Sequence, residues 1–233
     1  MKIVFATANK NKIREVAEVV GDEFEIVSAA EAGVSEEIPE TGNTVYANSV
    51  QKAEYIHNKT GLDCFADDTG LEVEILGGAP GVKTARYAGE PTNPDRNMDK
   101  LLAEMARRQY EASIMRAMGL KTPHATRRAR FRTCITVIIG GVRHFFEGIM
   151  EGQIALKRSG KGGFGYDPVF IPDGCDGLTS AEITEEHKNA ISHRGKAVRA
   201  MAAFLRGGRF LRSLTLGRND KRGGANDREG RSK

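Results

Sequence analysis

Apolar residues occur along this chain in short runs separated by polar segments and closed by glycines. Ile3–Thr7 is a β-branched and aromatic run that predicts a strand. After a polar loop, Ile13, Val16, Ala17 and Val20 recur at helical spacing, and Gly21 closes that helix. Phe24–Ser28 predicts the next strand and residues 31–43 a polar loop. Thr44 suits the N-cap of a helix reaching about His57, with Gly61 as its stop. Strand-like Asp63–Ala66 then runs into a tight acidic turn, Ala66-Asp67-Asp68-Thr69-Gly70, and Leu71–Ile75 continues beyond it. Further on, the pattern predicts a loop from Leu76, a helix over 93–107, and a hairpin of Arg130–Ile139 and Val142–Glu147 about Gly140-Gly141. A strand over Ile149–Ala155 leads into the glycine-rich Ser159–Gly165, and Arg194–Leu205 is the last helix. Strands and helices mixed in this way predict one α/β domain, with no internal repeat.

Composition narrows the class. With 233 residues, 39% apolar and no Trp, the chain has material for a sizeable core. No apolar run approaches the roughly 18–20 residues of a membrane span, and the start of the chain turns polar at Asn9 too soon for a signal peptide. Cys64, Cys134 and Cys175 are odd in number and lack metal-ligand spacing, which predicts reduced thiols and a cytoplasmic protein.

The net charge of +4 conceals an uneven distribution. From Arg206 onward there are nine Lys/Arg against three Asp/Glu, and residues 107–132 hold eight against one, so the remainder is acidic. The basic character therefore sits in two segments that look peripheral, 107–132 and the chain from Arg206 on, and beyond Gly207 the tail is expected to be disordered. Such segments argue only weakly for nucleic-acid binding.

Four clusters carry chemistry. Thr7-Ala8-Asn9-Lys10-Asn11-Lys12 lies at a strand-to-helix junction, where unpaired N–H groups and the helix dipole suit phosphate, although a solvated polar connection has the same composition. It is not a Walker loop. Asp67 and Asp68, with Glu40 in the preceding loop, suit Mg²⁺, which takes one or two carboxylates together with waters and substrate phosphates. The plain alternative is an Asp-rich turn. Asn48 and Lys52, four apart, share one helix face, so Lys52 can reach phosphates or steady the acids. Thr69 can donate to a phosphate oxygen.

Gly160–Gly165 frees the backbone for close approach to a ligand, and Phe164 between glycines can stack on a base. Lys188, with Ser192-His193-Arg194, adds donors that match a keto oxygen and mismatch the amino group of adenine. For the last cluster the plain reading is that Ser192 caps a helix while Arg194 forms a surface pair.

Taken in order, Thr-x-Asn-Lys-x-Lys, Asp-Asp-Thr-Gly, Gly78-Ala79-Pro80-Gly81-Val82, Phe164-Gly165-Tyr166-Asp167-Pro168 and Ser192-His193-Arg194-Gly195-Lys196 resemble the inosine triphosphate pyrophosphatase family, the Ham1-like non-canonical purine nucleoside-triphosphate pyrophosphatases. The likeness runs from about Lys2 to Leu205. It implies a two-lobed α/β fold around a long twisted mixed β-sheet flanked by helices, a homodimer, and a Mg²⁺-dependent active cleft between the lobes. Residue by residue, it implies that Thr7–Lys12 bind triphosphate and that Glu40 and Asp68 hold Mg²⁺, with Asp68 also the general base. Thr69 would contact substrate, and Lys52 would lie near the phosphates. Phe164, Gly165, Tyr166, Asp167, Lys188, His193 and Arg194 would line the base pocket. Departures are Ala8 for a common Gly, Thr69 for a usual Ser, Val45 for a common aromatic, a basic segment at 107–128 longer than the usual connection, and an extra tail over 207–233. The resemblance thus implies one domain over 1–206 with a basic insert at 107–128.

The activity so implied is hydrolysis of ITP, dITP and XTP to the monophosphate and pyrophosphate. Two other readings stand beside it: a pyrophosphatase for other modified nucleoside triphosphates, and a non-catalytic nucleotide or nucleic-acid binder using the basic segments.

Overall fold

In this computed structural model, which describes residues 1–122 and 126–219, the first β-branched run forms β1 (Lys2–Phe5) at the heart of one lobe. It lies parallel to β2 (Glu25–Ser28) on one side and to β3 (Cys64–Val73) on the other. β3 then pairs antiparallel along its length with β5 (Arg128–Ile139), β5 with β6 (Val142–Ile154), and β6 with β7 (Phe170–Pro172). The short β4 (Pro80–Gly81) hangs on the far end of β3. The result is a mixed seven-stranded sheet in the order β2-β1-β3-β5-β6-β7, with β4 off that path.

Helices cover the sheet in two groups. At the β1 end, α1 (Lys10–Val20) and α5 (His193–Asn219) pack one face, burying Phe5, Val16, Phe65, Val198 and Met201. The opposite face is closed by α2 (Val45–Thr60), over Val4, Ala6, Ala53, Ile56 and Cys64. Successive strand residues point to opposite faces, which is why Val4 and Phe5 belong to different cores. At the other end, α3 (Pro94–Ala117) covers Leu71, Leu101, Met105, Phe131 and Phe170. α4 (Glu185–Ile191) bridges toward α5. Each fully buried side chain of this size contributes about 1.5–3 kcal/mol, against about 0–1 for an exposed ion pair. The three cores, not the surface charges, hold the two lobes together.

Helix ends follow their caps. Thr44 Oγ1 accepts from the Ala47 amide at 3.0 Å, and Gly61 ends α2 in the left-handed conformation at φ +68°, as the sequence predicts.

Four expectations change. The Asp67–Gly70 segment is not a turn: it runs straight through β3, each residue in register with β5 from Asp67↔Ile135 to Gly70↔Arg132. Ladder pairing on a partner strand overrides the turn preference of Asp and Gly. The segments on either side of Glu147 are one strand, β6. α3 extends past 107 to Ala117, supported by Arg107–Glu111 at 2.5 Å and Arg108–Glu111 at 3.5 Å, so much of the basic insert is helix. α5 runs on past Leu205 to Asn219, while residues 123–125 of the insert and 220–233 of the tail lie outside the described residues.

Candidate active site

Because β3 is a strand, its two adjacent carboxylates face opposite ways. Asp67, 2% exposed, turns toward α1 and α5. Its Oδ1 accepts from Lys12 Nζ at 2.8 Å and its Oδ2 from Arg194 Nε at 3.0 Å, while Arg194 Nη1 also donates to Glu15 Oε2 at 2.5 Å. Burial works against the charge on Asp67, yet Lys12 and Arg194 hold its carboxyl well below the usual range. Asp68 turns toward α2. Its Oδ2 accepts from Asn48 Nδ2 at 3.1 Å and its Oδ1 from Lys52 Nζ at 3.4 Å, and Lys52 Nζ reaches Glu40 Oε1 at 2.6 Å. Here burial wins: it raises Asp68 above the ordinary aspartate value, opposed by Lys52 and reinforced by the like charge of Glu40. Lys52 is pushed upward, its own burial outweighed by Asp68, Asp67 and Glu40.

The N-terminal loop is shaped by its own side chains. Thr7 Oγ1 accepts from the Asn9 amide at 3.1 Å, and Asn9 Oδ1 accepts from the Lys12 amide at 3.4 Å as α1 begins. This local pattern aims Lys12 inward. Burial lowers the Lys12 ammonium below its ordinary value, although Asp67 raises it.

In the second loop, the glycine-rich one, Asp167 is the organiser. Its Oδ2 accepts from the Phe164 amide at 2.7 Å and from Lys188 Nζ at 2.6 Å. Gly163 sits at φ +70°, and a Cβ there would lie 2.1 Å from Asp167 Oδ2. That glycine makes room for the carboxylate, where the sequence suggested room for a ligand. Phe164 is 58% exposed, with Lys188 Nζ 4.9 Å from its ring centroid, whereas Tyr166 is buried and donates to the Thr84 carbonyl at 2.9 Å.

The start of α5 completes the set. Ser192 does cap the helix, its Oγ accepting from the Gly195 amide at 3.0 Å. Arg194, however, is buried against Asp67 and Glu15 and forms no surface pair. Gly148 of β6 permits this close seat, since a Cβ there would stand 2.0 Å from the His193 carbonyl oxygen. The His193 ring stacks on Phe131 with centroids 5.0 Å apart, and its Nδ1 lies 2.6 Å from Thr133 Oγ1. Burial first, then the charges of Arg194 and Lys188, lower His193 well below 6.5, so the imidazole is neutral at pH 7.

These groups meet in one cavity of about 440 Å³. Its wall takes Asn9 and Lys12 from the first loop, Glu40, Asp68 and Thr69 from the acidic region, Phe164 to Asp167 from the second loop, and Lys188, His193 and Arg194 from α4 and α5. Lys52 lies behind the wall, joining Glu40 to Asp68. Thr7, Ala8 and Lys10 do not line it, and the Asn11 side chain lies outside what is described. Among the participants that sequence reasoning missed are Glu15, Thr133 and Phe131, the ring beneath His193. The i, i+3 spacing of Lys12 and Glu15 on α1 was the one available hint for Glu15; Thr133 left none.

The donor set bears on a metal. Among the described residues no cluster of three or more His, Cys, Asp or Glu forms a closed cage. Mg²⁺ needs less, taking one or two carboxylates and completing its shell with water and substrate phosphates. Glu40 and Asp68, two carboxylates close enough for one to raise the other, fit that requirement. Asp67 does not, because it is buried behind Lys12 and Arg194 and, unlike Glu40 and Asp68, does not line the cavity.

The chain is similar in sequence and in fold to known proteins. A protein of Porphyromonas gingivalis named dITP/XTP pyrophosphatase is 50% identical over 204 residues, covering 88% of this chain and 97% of that protein. One of the same name from Flavobacterium psychrophilum is 46% identical over 206 residues, covering 88% and 100%. Among solved structures, a HAM1 protein from Coxiella burnetii superposes with a TM-score of 0.78 at 33% identity, covering 89% of this chain and 99% of that one. The Staphylococcus aureus Ham1 protein gives 0.74 at 32% identity, covering 89% and 100%. The Ham1 family profile matches residues 3–204, and the chain belongs to the Ham1 family.

Proposed function

We propose that this chain hydrolyses non-canonical purine nucleoside triphosphates (ITP, dITP and XTP) to the nucleoside monophosphate and pyrophosphate, clearing deaminated purines from the nucleotide pool. The observation that carries this reading is the single cavity in which a raised carboxylate and its acidic neighbour share a wall with an exposed aromatic and a neutral histidine. The curated relatives named dITP/XTP pyrophosphatase support the same substrate class.

In this reading Asp68 takes the proton of the attacking water. Its raised carboxyl suits a base better than an ordinary aspartate, and the hydrogen bonds from Asn48 and Lys52 hold it in one orientation. Lys12 and Lys52 offset charge on the departing pyrophosphate. Glu40 and Asp68 would hold Mg²⁺, which supplies Lewis-acid polarisation of the phosphoryl oxygens when bound. Phe164 stacks on the base, and Lys188 and His193 face its edge. Thr7, Ala8, Lys10 and Asn11 belong to the triphosphate loop by resemblance, with the α1 amides beside them as the physical support.

The homodimer reading is supported by an exposed aromatic pair on α2 and β6, Tyr46 and Phe145, with ring centroids 4.8 Å apart; sedimentation tests it. The cytoplasmic assignment rests on three unpaired, buried cysteines. Pyrophosphate release from ITP, XTP, dITP, ATP, GTP and CTP, with Mg²⁺ and with EDTA, tests the function. Fast, metal-dependent release from the first three with the rest nearly inert is the expected result. Equal rates on all six, or on CTP alone, would move the chain to another substrate class.

A further inference from the structure

Thr133 is wholly buried in β5, and its hydroxyl serves two partners at once: Thr69 Oγ1 at 2.7 Å and His193 Nδ1 at 2.6 Å. A hydroxyl has one proton and two lone pairs. Were it to accept from both partners, the proton of this wholly buried group would face no acceptor among the described residues, so it donates to one partner and accepts from the other. Only two proton orders satisfy this chain. In one, Thr69 donates to Thr133 and Thr133 donates to Nδ1, leaving the ring proton on Nε2. In the other, Nδ1–H donates to Thr133, Thr133 donates to Thr69, and Nε2 is a bare acceptor.

The neighbours of His193 favour the first order. Lys188 is engaged by Asp167 at 2.6 Å, and Arg194 is engaged by Asp67 and Glu15. The cations on this side of the cavity each spend donors on carboxylates, whereas the His193 ring, seated on Phe131 in the cavity wall, offers its single N–H from a fixed position. The Nε2–H form is also the tautomer that neutral histidine prefers in water.

We propose that Thr133 is a positioning residue that fixes the tautomer His193 presents to the base, by donating a hydrogen bond from its hydroxyl to Nδ1 and accepting one from the Thr69 hydroxyl. This deepens the reading of the cavity as a 6-oxopurine triphosphate site, on which it rests. A fixed Nε2–H donates to a keto oxygen and leaves the amino group of adenine unmatched. The same order changes the part expected of Thr69. With its proton turned to Thr133, Thr69 offers substrate only lone pairs, so it receives a hydrogen bond and gives none to phosphate.

The test is side-chain ¹⁵N NMR of the histidines in the unliganded protein, for wild type, Thr133→Val and Thr133→Ser, with His193→Gln to assign the resonance. Alongside it, kcat and KM are measured for ITP and ATP. Wild type and Thr133→Ser should show the Nε2–H tautomer. Thr133→Val keeps the shape but not the hydroxyl; it should give a mixed tautomer and lose about fivefold to tenfold in the ITP-over-ATP ratio of kcat/KM, mostly through KM. A wild-type Nδ1–H tautomer overturns the proposal. So does a Thr133→Val protein whose tautomer and selectivity match wild type while only its melting temperature falls. If Thr133→Val does not fold, the wild-type spectrum alone decides between the two proton orders. Because the spectrum needs no substrate, a protein inert toward ITP would sink the functional reading without touching the tautomer result.

Discussion

Asp67 and Asp68 are neighbours in sequence with the same side chain, yet the two faces of β3 give them opposite characters. On the α1/α5 face, Asp67 is a permanent anion gripped by Lys12 and Arg194. On the α2 face, Asp68 meets one shared lysine, an amide and another carboxylate, and burial raises its affinity for a proton. Two cations against one, and an opposite charge against a like one, account for the difference. The lesson is that a motif of paired acids need not be a paired ligand: the pleat assigns one to building the site and leaves the other available for chemistry.

The comparison can be broken from either side. The largest stability effect is expected at the building carboxylate: Asp67→Asn leaves Lys12 and Arg194 facing a neutral amide and should cost about 3–5 kcal/mol in urea unfolding. A cost below about 1 kcal/mol would show that the network does not hold α1 and α5 to the sheet. Next, Lys52→Met removes the cation shared by Glu40 and Asp68. Turnover should fall by about 10²–10³-fold, and the acid limb of the pH–rate profile should move to higher pH, because losing that cation raises Asp68 further. An unmoved limb would separate Lys52 from the base.

His193 sharpens the comparison through pH. Its folded value is lowered, so the unfolded chain binds the proton more readily and acid favours unfolding. The stability it carries is fully present above about 6.5, the free histidine value, and is lost as pH falls through that range toward the lowered folded value. Urea midpoints at pH 7.5 and 5.5 should therefore fall less in His193→Gln than in wild type. The smallest effect is expected for Glu15→Gln, about 1–2 kcal/mol, since Arg194 keeps its bond to Asp67.

Much of this was legible in the sequence where one residue type dictates local geometry. Thr44 and Gly61 bounded α2, the apolar spacing over Ile13–Val20 found α1, and motifs far apart in the chain marked residues that share one cavity. The misreadings within the sheet have a common cause. Asp and Gly favour turns locally, but ten residues of β3 laddered on β5 decide otherwise. Likewise, Glu147 and Gly148 resembled a break between strands, although the glycine is there to let α5 approach β6. Glu15 and Thr133 are ordinary residues inside regular elements. Only the register that brings β5 beside β3, and α5 across both, gives them partners.

The most direct test of two carboxylates with two tasks is Asp68→Asn, assayed for pyrophosphate release from ITP with Mg²⁺ and for urea stability in parallel. The account predicts a folded protein, at least as stable as wild type, with turnover reduced by about 10²–10⁴-fold. A variant that keeps wild-type turnover, or that loses turnover only because it unfolds, would contradict it.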